Sequence, residues 1–415
     1  TLLSVIPATI KGRYNITDFN VNKEKALLTG RILPGKGSSL FQAIFNFTWL
    51  PAITGITVLK FQPAIFLFDI NNKAITQVKS DFKGQAWTDN LSVDDSCAKI
   101  IIRNFIPRKC NKLHITTIDY NGKIKDSVNI ISPDKKKKIN TAKIIYTPNN
   151  EQLIVGTYNN FVKGKKANPA FVGFNEKANG IFLIKMDSAD SIIFTKFYNF
   201  SEFTNFYINA YSINTLKLKK KVARQKNKGK EITFEYDLLF HDVIVRDSNY
   251  IVIAEAYYPE YHTQFYTTYD YYGRPITITY QIFDGYRYTS ALIACFNDKG
   301  DLQWEYSLKI WDILSYNLSE RVKVLFDEQD IVLAYANEGN ITSIVIRGNQ
   351  IISGRENYPI ETNYPNDKLI TDFNSSLEYW YDNYFISYGY QKIKNFREDV
   401  PNKRQVFYFN KIAFR

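Results

Sequence analysis

A unit of about 50 residues recurs along the chain, and this repeat limits the possible folds more than any other feature. Each copy has a short apolar strand, a polar turn and a second strand. Aligning the turns on Asp69, Asp119, Asp187, Asn297 and Arg347 gives spacings of 50, 68, 110 and 50 residues. The spacing of 110 indicates one enlarged unit. Asp, Asn and Gly favour tight hairpins because they tolerate positive φ or bond their own backbone.

A second element, a polar turn that leads into a nearly continuous apolar strand, precedes several of these hairpins. Its copies lie at residues 147–158, 246–257, 327–337 and 380–390. An uninterrupted apolar run of this length indicates a strand that is buried on both faces. Each period therefore supplies about four strands, which is typical of a β-propeller blade.

Composition also favours strands. The chain has 30 Tyr and 30 Phe but one Met, with 45% hydrophobic and 23% charged residues. Aromatic and β-branched side chains fit a pleated, half-buried surface. This composition excludes a disordered chain and a coiled coil.

Residues 296–306, FNDKGDLQWEY, resemble the outer hairpin of quinoprotein-like and WD40-like β-propellers. In these propellers a Gly at the turn is followed four residues later by a Trp that docks on the neighbouring blade, and here these are Gly300 and Trp304. The resemblance is to the broad β-propeller superfamily over roughly residues 20–415. It implies an architecture and no activity.

We therefore predict an all-β fold, with one β-propeller domain over residues 1–415 and an enlarged fourth blade among six or seven four-stranded blades. Six blades are expected near residues 20–85, 90–132, 143–200, 235–312, 320–357 and 370–415. Residues 1–10 are expected to supply a closing strand, because an unclosed propeller exposes two sheet edges.

A basic loop at residues 213–233 is the first of two insertions predicted in the fourth blade. The net charge is +12, and all of it is held by Lys135 to Lys138 and by residues 217–230. The basic residues of the loop are Lys217, Lys219, Lys220, Lys221, Arg224, Lys226, Lys228 and Lys230. A mobile, solvated loop tip and a contact with anionic lipid, polyanionic glycan or an acidic partner are both open interpretations. Nucleic acid is not expected, because no binding motif accompanies the lysines.

The second insertion, at residues 257–288, has Tyr or Phe at 12 of its 32 positions. Tyr is enriched at interfaces because it offers a large contact area and a hydroxyl with few torsions to freeze. The candidate interface residues are Tyr257, Tyr258, Tyr261, His262, Tyr266, Tyr269, Tyr271, Tyr272, Arg274 and Tyr286. Packing of the insertion on its own blade is an alternative. A carbohydrate platform is another, in which sugar hydroxyls would bond Glu255, Glu260, Asp270, Arg274 or Asp284.

The sequence contains only weak matches to known catalytic motifs. Residues 30–39 approach a phosphate-binding loop, but Gly37 occupies the position of the hydroxyl that must ligate magnesium. Three pairs of carboxylates lie close in sequence, as a glycosidase requires in space: Asp94 with Asp95, Asp237 with Asp242, and Glu255 with Glu260. The histidines at 114, 241 and 262 are too few and too dispersed for a metal site or a triad. We predict no catalytic residue, no metal and no cofactor.

Cysteine and hydropathy give little information about location. Cys97 and Cys110 are candidates for a disulfide or for two free thiols, and Cys295 stands alone. No window of about 18 apolar residues predicts a transmembrane helix. The first residue is Thr1, which leads us to expect a mature product outside the cytoplasm, in the periplasm or at the cell surface, with attachment to an outer membrane as one alternative.

The hypothesis that follows is a non-catalytic, extracytoplasmic binding or scaffolding subunit of a cell-envelope or outer-membrane-associated complex. Its partner would be another protein or a membrane-protein complex, with an anionic membrane surface or a glycan as further possibilities. The alternative is a propeller that binds carbohydrate or cleaves it as a glycosidase or lyase.

Overall fold

A computed structural model of the chain describes residues 14–22, 24–32, 62–80, 82, 85–105, 112–147, 149, 151–160, 177–210, 215–229, 232–348, 350–362, 364, 366–396 and 399–414. The chain divides into two compact units, Thr1–Asn199 and Phe200–Arg415. The described residues form 25 strands, two α-helices and one 3-10 helix, Phe200–Glu202. Neither α-helix is long and apolar enough to cross a membrane.

The first unit contains three antiparallel sheets of four strands. Sheet 1 consists of β1 (Tyr14–Asn22), β2 (Lys25–Ile32), β3 (Gln62–Asp69) and β4 (Ala74–Gln77). Sheet 2 consists of β5 (Gln85–Val93), β6 (Cys97–Phe105), β7 (Lys112–Asp119) and β8 (Ile124–Ile130). Sheet 3 consists of β9 (Lys137–Tyr146), β10 (Gln152–Asn160), β11 (Gly180–Met186) and β12 (Ile192–Asn199).

The second unit contains three further antiparallel sheets. Sheet 4 consists of β13 (Asp237–Phe240), β14 (Ile244–Arg246), β15 (Asn249–Tyr269), β16 (Pro275–Phe296), β17 (Leu302–Lys309) and β18 (Leu314–Ser315). Sheet 5 consists of β19 (Lys323–Asp327), β20 (Asp330–Asn337), β21 (Asn340–Arg347) and β22 (Gln350–Pro359). Sheet 6 consists of β23 (Lys368–Tyr381), β24 (Tyr384–Lys394) and β25 (Lys403–Ala413).

Strands within each sheet follow one another in chain order, which is the construction of a β-propeller blade. The predicted all-β fold of the β-propeller class is thereby confirmed, and the six sheets formed by the described residues agree with the lower of the two predicted blade counts. Sheet 6 has three strands in the described residues, and sheet 4 has six.

One turn geometry recurs in both units. Asp119, Asp187, Asp270 and Asn297 each accept backbone N–H groups two and four residues later, at 2.8 to 3.0 Å. The residue three positions after each of them has positive φ, as at Gly300 with φ of 77°. These side chains replace backbone partners in the turn, which explains why Asp and Asn mark the predicted repeat.

Within each unit, the hydrophobic core lies between successive sheets because the central strands are apolar on both faces. In the second unit, Ile253 and Ile293 of sheet 4 pack with Leu333 and Ile344 of sheet 5. In the first unit a similar cluster joins strands of sheets 2 and 3. Each sheet thus buries a face against a neighbour, as the repeat requires.

The predicted basic loop is a wrong assignment, because most of it is helical. Helix α1 (Thr204–Ala210) precedes it, and helix α2 (Thr215–Lys226) occupies residues 215–226. Its sequence, TLKLKKKVARQK, consists largely of unbranched side chains with high helix propensity. The buried Val222 anchors this helix.

Three sequence predictions concern residues that lie outside the described part of the chain. These are the closing strand at residues 1–10, the part of the phosphate-loop-like segment that follows Ile32, and the pairing of Cys110. Cys97 and Cys295 carry free, buried thiols.

Candidate interface on the long hairpin of sheet 4

The Tyr-rich segment forms the outer part of a long hairpin. Strands β15 and β16 pair from Tyr250 with Phe296 to Tyr269 with Pro275. The inner residues of both strands are buried in the core, whereas most side chains of residues 258–287 are exposed or half-buried. We call residues 258–287 the arm.

The arm has open edges. Strand β13 pairs with β15 only as far as Tyr257, and β18 pairs with β16 only at Tyr286 and Arg287. Beyond these points, no third strand of the described residues pairs with the hairpin. Its free backbone groups are therefore available to a strand from another molecule.

Ion pairs fix the base of the arm. The Glu260 carboxylate accepts hydrogen bonds from Arg287, which lowers the pKa of Glu260 and raises that of Arg287. Nδ1 of His262 lies 2.5 Å from Oδ1 of Asp284. At the far end Asp270 and Arg274 approach within 3.6 Å across the turn. The arm's acidic and basic side chains are thus paired with one another.

Aromatic rings also hold the base of the arm. Tyr257 is buried and packs edge-on against Tyr286 at 5.5 Å between ring centroids. Phe283 lies 5.1 Å from Tyr286 and 5.5 Å from Tyr261. Burial raises the pKa of Tyr286. Two of the candidate interface residues, Tyr257 and Tyr286, therefore pack within the protein.

The strand register separates the exposed side chains of the arm into two faces. Residues directly opposite one another in an antiparallel pair lie on the same face. One face, which we call the Ile face, carries an apolar set with 37% to 59% exposure: Tyr266, Ile276, Ile278, Tyr280 and Ile282. The other face, which we call the Thr face, carries exposed aromatic residues between threonines: Tyr261, Phe265, Tyr269, Thr263, Thr267, Thr277 and Thr279.

The remaining candidate residues lie at the two ends of the arm. Tyr258 is 41% exposed near its base. Tyr271 and Tyr272 lie in the terminal turn and are 97% and 75% exposed. The guanidinium of Arg274 lies 5.2 Å from the ring of Tyr272. Large aromatic side chains are thus exposed at both ends of the arm as well as along its two faces.

The basic residues of the 217–230 segment lie on or just after helix α2, apart from Lys230, which is outside the described residues. Helix α1, which precedes them, is held on sheet 4. The backbone N–H of Asn205 donates to Oε1 of Glu305 at 2.8 Å, and Nδ2 of Asn209 donates to the carbonyl of Ser307 at 3.0 Å. Lys220, Arg224 and Lys228 are exposed. The charges of these three side chains are therefore at the surface of the second unit.

Two carboxylates of the candidate catalytic pairs, Asp94 and Glu255, form hydrogen bonds with nearby backbone N–H groups. Asp94 accepts the backbone N–H groups of Ser96 and Cys97 at 2.6 and 2.7 Å in a turn. Glu255 is fully buried and accepts the backbone N–H of Val322 at 2.8 Å. Among the described residues, no group of three His, Cys, Asp or Glu side chains could hold a metal ion.

No protein-family model matches the chain, and no curated protein matches it significantly in sequence. The solved structures that resemble it include the β-propeller domain of the Trilobed protease from Pyrococcus furiosus, at 11% identity and TM-score 0.30, over 98% of this chain and 96% of that one. A GH43 β-xylosidase/α-arabinofuranosidase from a compost microbial metagenome resembles it at 8% identity and TM-score 0.32, over 98% and 92%.

The acylaminoacyl peptidase of Pyrococcus horikoshii resembles the chain at 8% identity and TM-score 0.31, over 94% of this chain and 52% of that one. The chain therefore spans about half the length of this peptidase. At these identities and TM-scores, none of the three likenesses carries an activity, a substrate or a partner over to this protein.

Proposed function

We propose that the protein is a binding subunit that docks its arm onto another protein. The observation that supports this most directly is that the apolar Ile face and the open strand edges occur together on one exposed hairpin. An isolated two-stranded hairpin is only marginally stable in water. A partner that covers the face and pairs with an edge would therefore stabilise the arm.

The charges of the arm favour a protein over a lipid surface as the binding partner. A hairpin that binds anionic headgroups needs unpaired Lys or Arg along its length. Here Arg274 lies beside Asp270, and Arg287 is bonded to Glu260. Between these two ion pairs the strands carry no Lys, Arg, Asp or Glu from residue 261 to 269 or from 275 to 283. The arm thus matches an uncharged strip on its partner.

A different protein is a better partner than a second copy of this chain. The net charge of +12 makes two copies repel one another, whereas it attracts an acidic protein. The exposed cations that follow α1 would increase the association rate with such a partner without adding much affinity. The proposed partner is therefore an acidic protein with an exposed strand and an uncharged apolar strip. Its location in the cell envelope is part of the proposal.

A photo-crosslinking residue at position 280, in place of Tyr280, tests the proposal. We expect one protein to be crosslinked from the envelope fraction of cells that express the chain, and not from the cytosolic fraction. The same residue in place of Ile131, which is 73% exposed in the first unit, is the matched control and should not capture it. Equal capture at both positions would contradict a specific interface.

Binding of the captured protein, once purified, provides the quantitative test. Changing Tyr266, Ile278 and Tyr280 together to Ser is expected to weaken binding at least 100-fold, which corresponds to about 2.7 kcal/mol, because a single hot-spot side chain already contributes about 2 kcal/mol or more. The melting temperature should not fall, since all three side chains are exposed. The control changes Ile131, Ile192 and Ile193 to Ser, and its affinity should stay unchanged. Unchanged affinity in the arm variant, self-association through the arm or binding to lipid vesicles would each overturn the proposal.

A further inference from the structure

A cleft of about 360 Å³ opens between sheets 4 and 5 of the second unit. Three tight turns surround it, at residues 246–249, at residues 327–330 and directly after Arg347. Its volume lies within the range of small-molecule binding sites. It is separate from the arm, because no residue of the arm lines it.

The inner part of the cleft is apolar. Ile251, Cys295 and Trp304 lie side by side in one row across sheet 4, and Ile331 of sheet 5 faces the same space. Burial raises the pKa of the Cys295 thiol to about 11, so it stays protonated at neutral pH and contributes as an apolar group. Trp304 is half-buried, and its indole forms an aromatic wall.

The rim of the cleft offers both hydrogen-bond donors and acceptors. Arg246 and Arg347 supply donors, Asp247 supplies acceptors, and the amides of Asn249 and Gln329 supply both. Hydroxyl groups act as donors and as acceptors, so this combination suits a ligand with several of them.

The arginines do not make the cleft an anion site. Arg347 is bonded to both oxygens of Asp330, at 2.6 and 2.8 Å. Nε of Arg246 lies 3.7 Å from Asp247, and its guanidinium lies 5.4 Å from the ring of Phe326. Each guanidinium already has a carboxylate beside it. A ligand therefore gains little by bringing a negative charge.

We propose that this cleft binds a neutral saccharide of one or two pyranose rings. The apolar face of the ring stacks on the indole of Trp304, and its hydroxyls bond the rim at Gln329, Asn249 and Arg246. Aromatic side chains that present a flat apolar face beside polar groups suit a ring with one apolar face and a hydroxylated edge.

Saturation-transfer NMR and calorimetry with glucose, galactose, xylose, mannose and their β-linked disaccharides test the assignment. We expect at least one of these sugars to bind with a Kd of about 1 mM or tighter, which corresponds to a weak single-site complex. The uronic acid of the same sugar should bind no more tightly. Absence of binding by the whole panel, or a tenfold preference for the uronate, would overturn the proposal.

Variants locate the bound sugar. Gln329→Ala and Asn249→Ala are each expected to weaken binding about tenfold by removing one hydrogen-bonding group at the rim, and Trp304→Leu more than that. Trp304 also packs on the core, so the two rim variants keep the test valid if Trp304→Leu unfolds. Trp311→Ala is the control, because Trp311 is 44% exposed outside the cleft. Equal loss in the control, or no loss in the rim variants, would contradict the site.

Discussion

Glu255→Ala is expected to destabilise the second unit by about 3 to 5 kcal/mol, the cost of removing one partner from a buried polar network. The Glu255 carboxylate accepts the backbone N–H groups of Arg321 and Val322, each at 2.8 Å. Nε2 of His241 lies 2.7 Å from the same carboxylate. In the alanine variant, these groups lose their hydrogen-bond partner at a position where the Glu255 side chain is fully buried. Urea unfolding followed by tryptophan fluorescence measures the loss.

Glu320→Ala is the matched control for this prediction. Its carboxylate lies 3.8 Å from Nδ1 of the same His241, but Glu320 is 39% exposed. Exposed ion pairs contribute about 0 to 1 kcal/mol, so the unfolding midpoint should move little. Equal effects of the two substitutions would show that the hydrogen bonds of Glu255 do not hold sheets 4 and 5 together.

Gly156→Ala is expected to destabilise the first unit by about 3 kcal/mol, at the upper end of the cost of overpacking. Gly156 lies in the middle of β10, opposite Ala142 of β9. An ideal Cβ at this position would lie 1.8 Å from the carbonyl oxygen of Thr141 and 2.8 Å from Cα of Ala142. Both atoms belong to the backbone, so no side-chain rotation can relieve the clash. The strands must separate locally, which lowers the melting temperature.

Gly354→Ala is the control, because it places the same methyl group in strand β22 with no atom within 4 Å. Removing backbone freedom from the unfolded chain at a compatible site stabilises a protein by about 0.4 to 1 kcal/mol. We therefore expect opposite signs for the two glycine substitutions. A Gly156→Ala protein that melts at the temperature of the unsubstituted protein would show that β9 and β10 tolerate the added methyl group.

Much of the fold is predictable from the sequence because its main determinants are local. Asp119, Asp187 and Asn297 mark turns in the sequence and accept backbone N–H groups in the structure. The apolar runs between such turns become strands that are buried on both faces, such as β10 and β20. Turn chemistry and hydrophobic pattern indicate the same sheets, so each signal predicts these strands independently of the other.

Other features depend on residues far apart in sequence. Glu255 interrupts an apolar strand, and its role depends on backbone groups 66 and 67 positions later, which no local pattern indicates. Helix α2 was missed because a run of lysines suggests a solvated loop, although lysine also has high helix propensity. The cleft beside Trp304 is lined by residues of two sheets that lie far apart in sequence, so sequence spacing could not predict it.

For the Tyr-rich segment, the sequence left self-packing and interface formation as alternatives. The structure shows self-packing at the base of the segment, and interface formation by its outer part stays a prediction. The rings at its base, including Tyr257, are buried, while those beyond, including Tyr266 and Tyr269, are exposed. Tyr side chains are therefore buried in one part of the segment and exposed in the other. The difference arises because no further strand among the described residues of sheet 4 covers the outer part.

The chain-order arrangement of strands has a consequence for synthesis on the ribosome. Every strand in the six sheets pairs with the next strand or the next but one along the chain. A nascent chain therefore holds all the partners that a sheet needs as soon as its last strand leaves the exit tunnel, and pairing within that sheet need not wait for the following sheet to emerge. Contacts of such short range close quickly and limit the time during which bare strand edges meet other nascent chains.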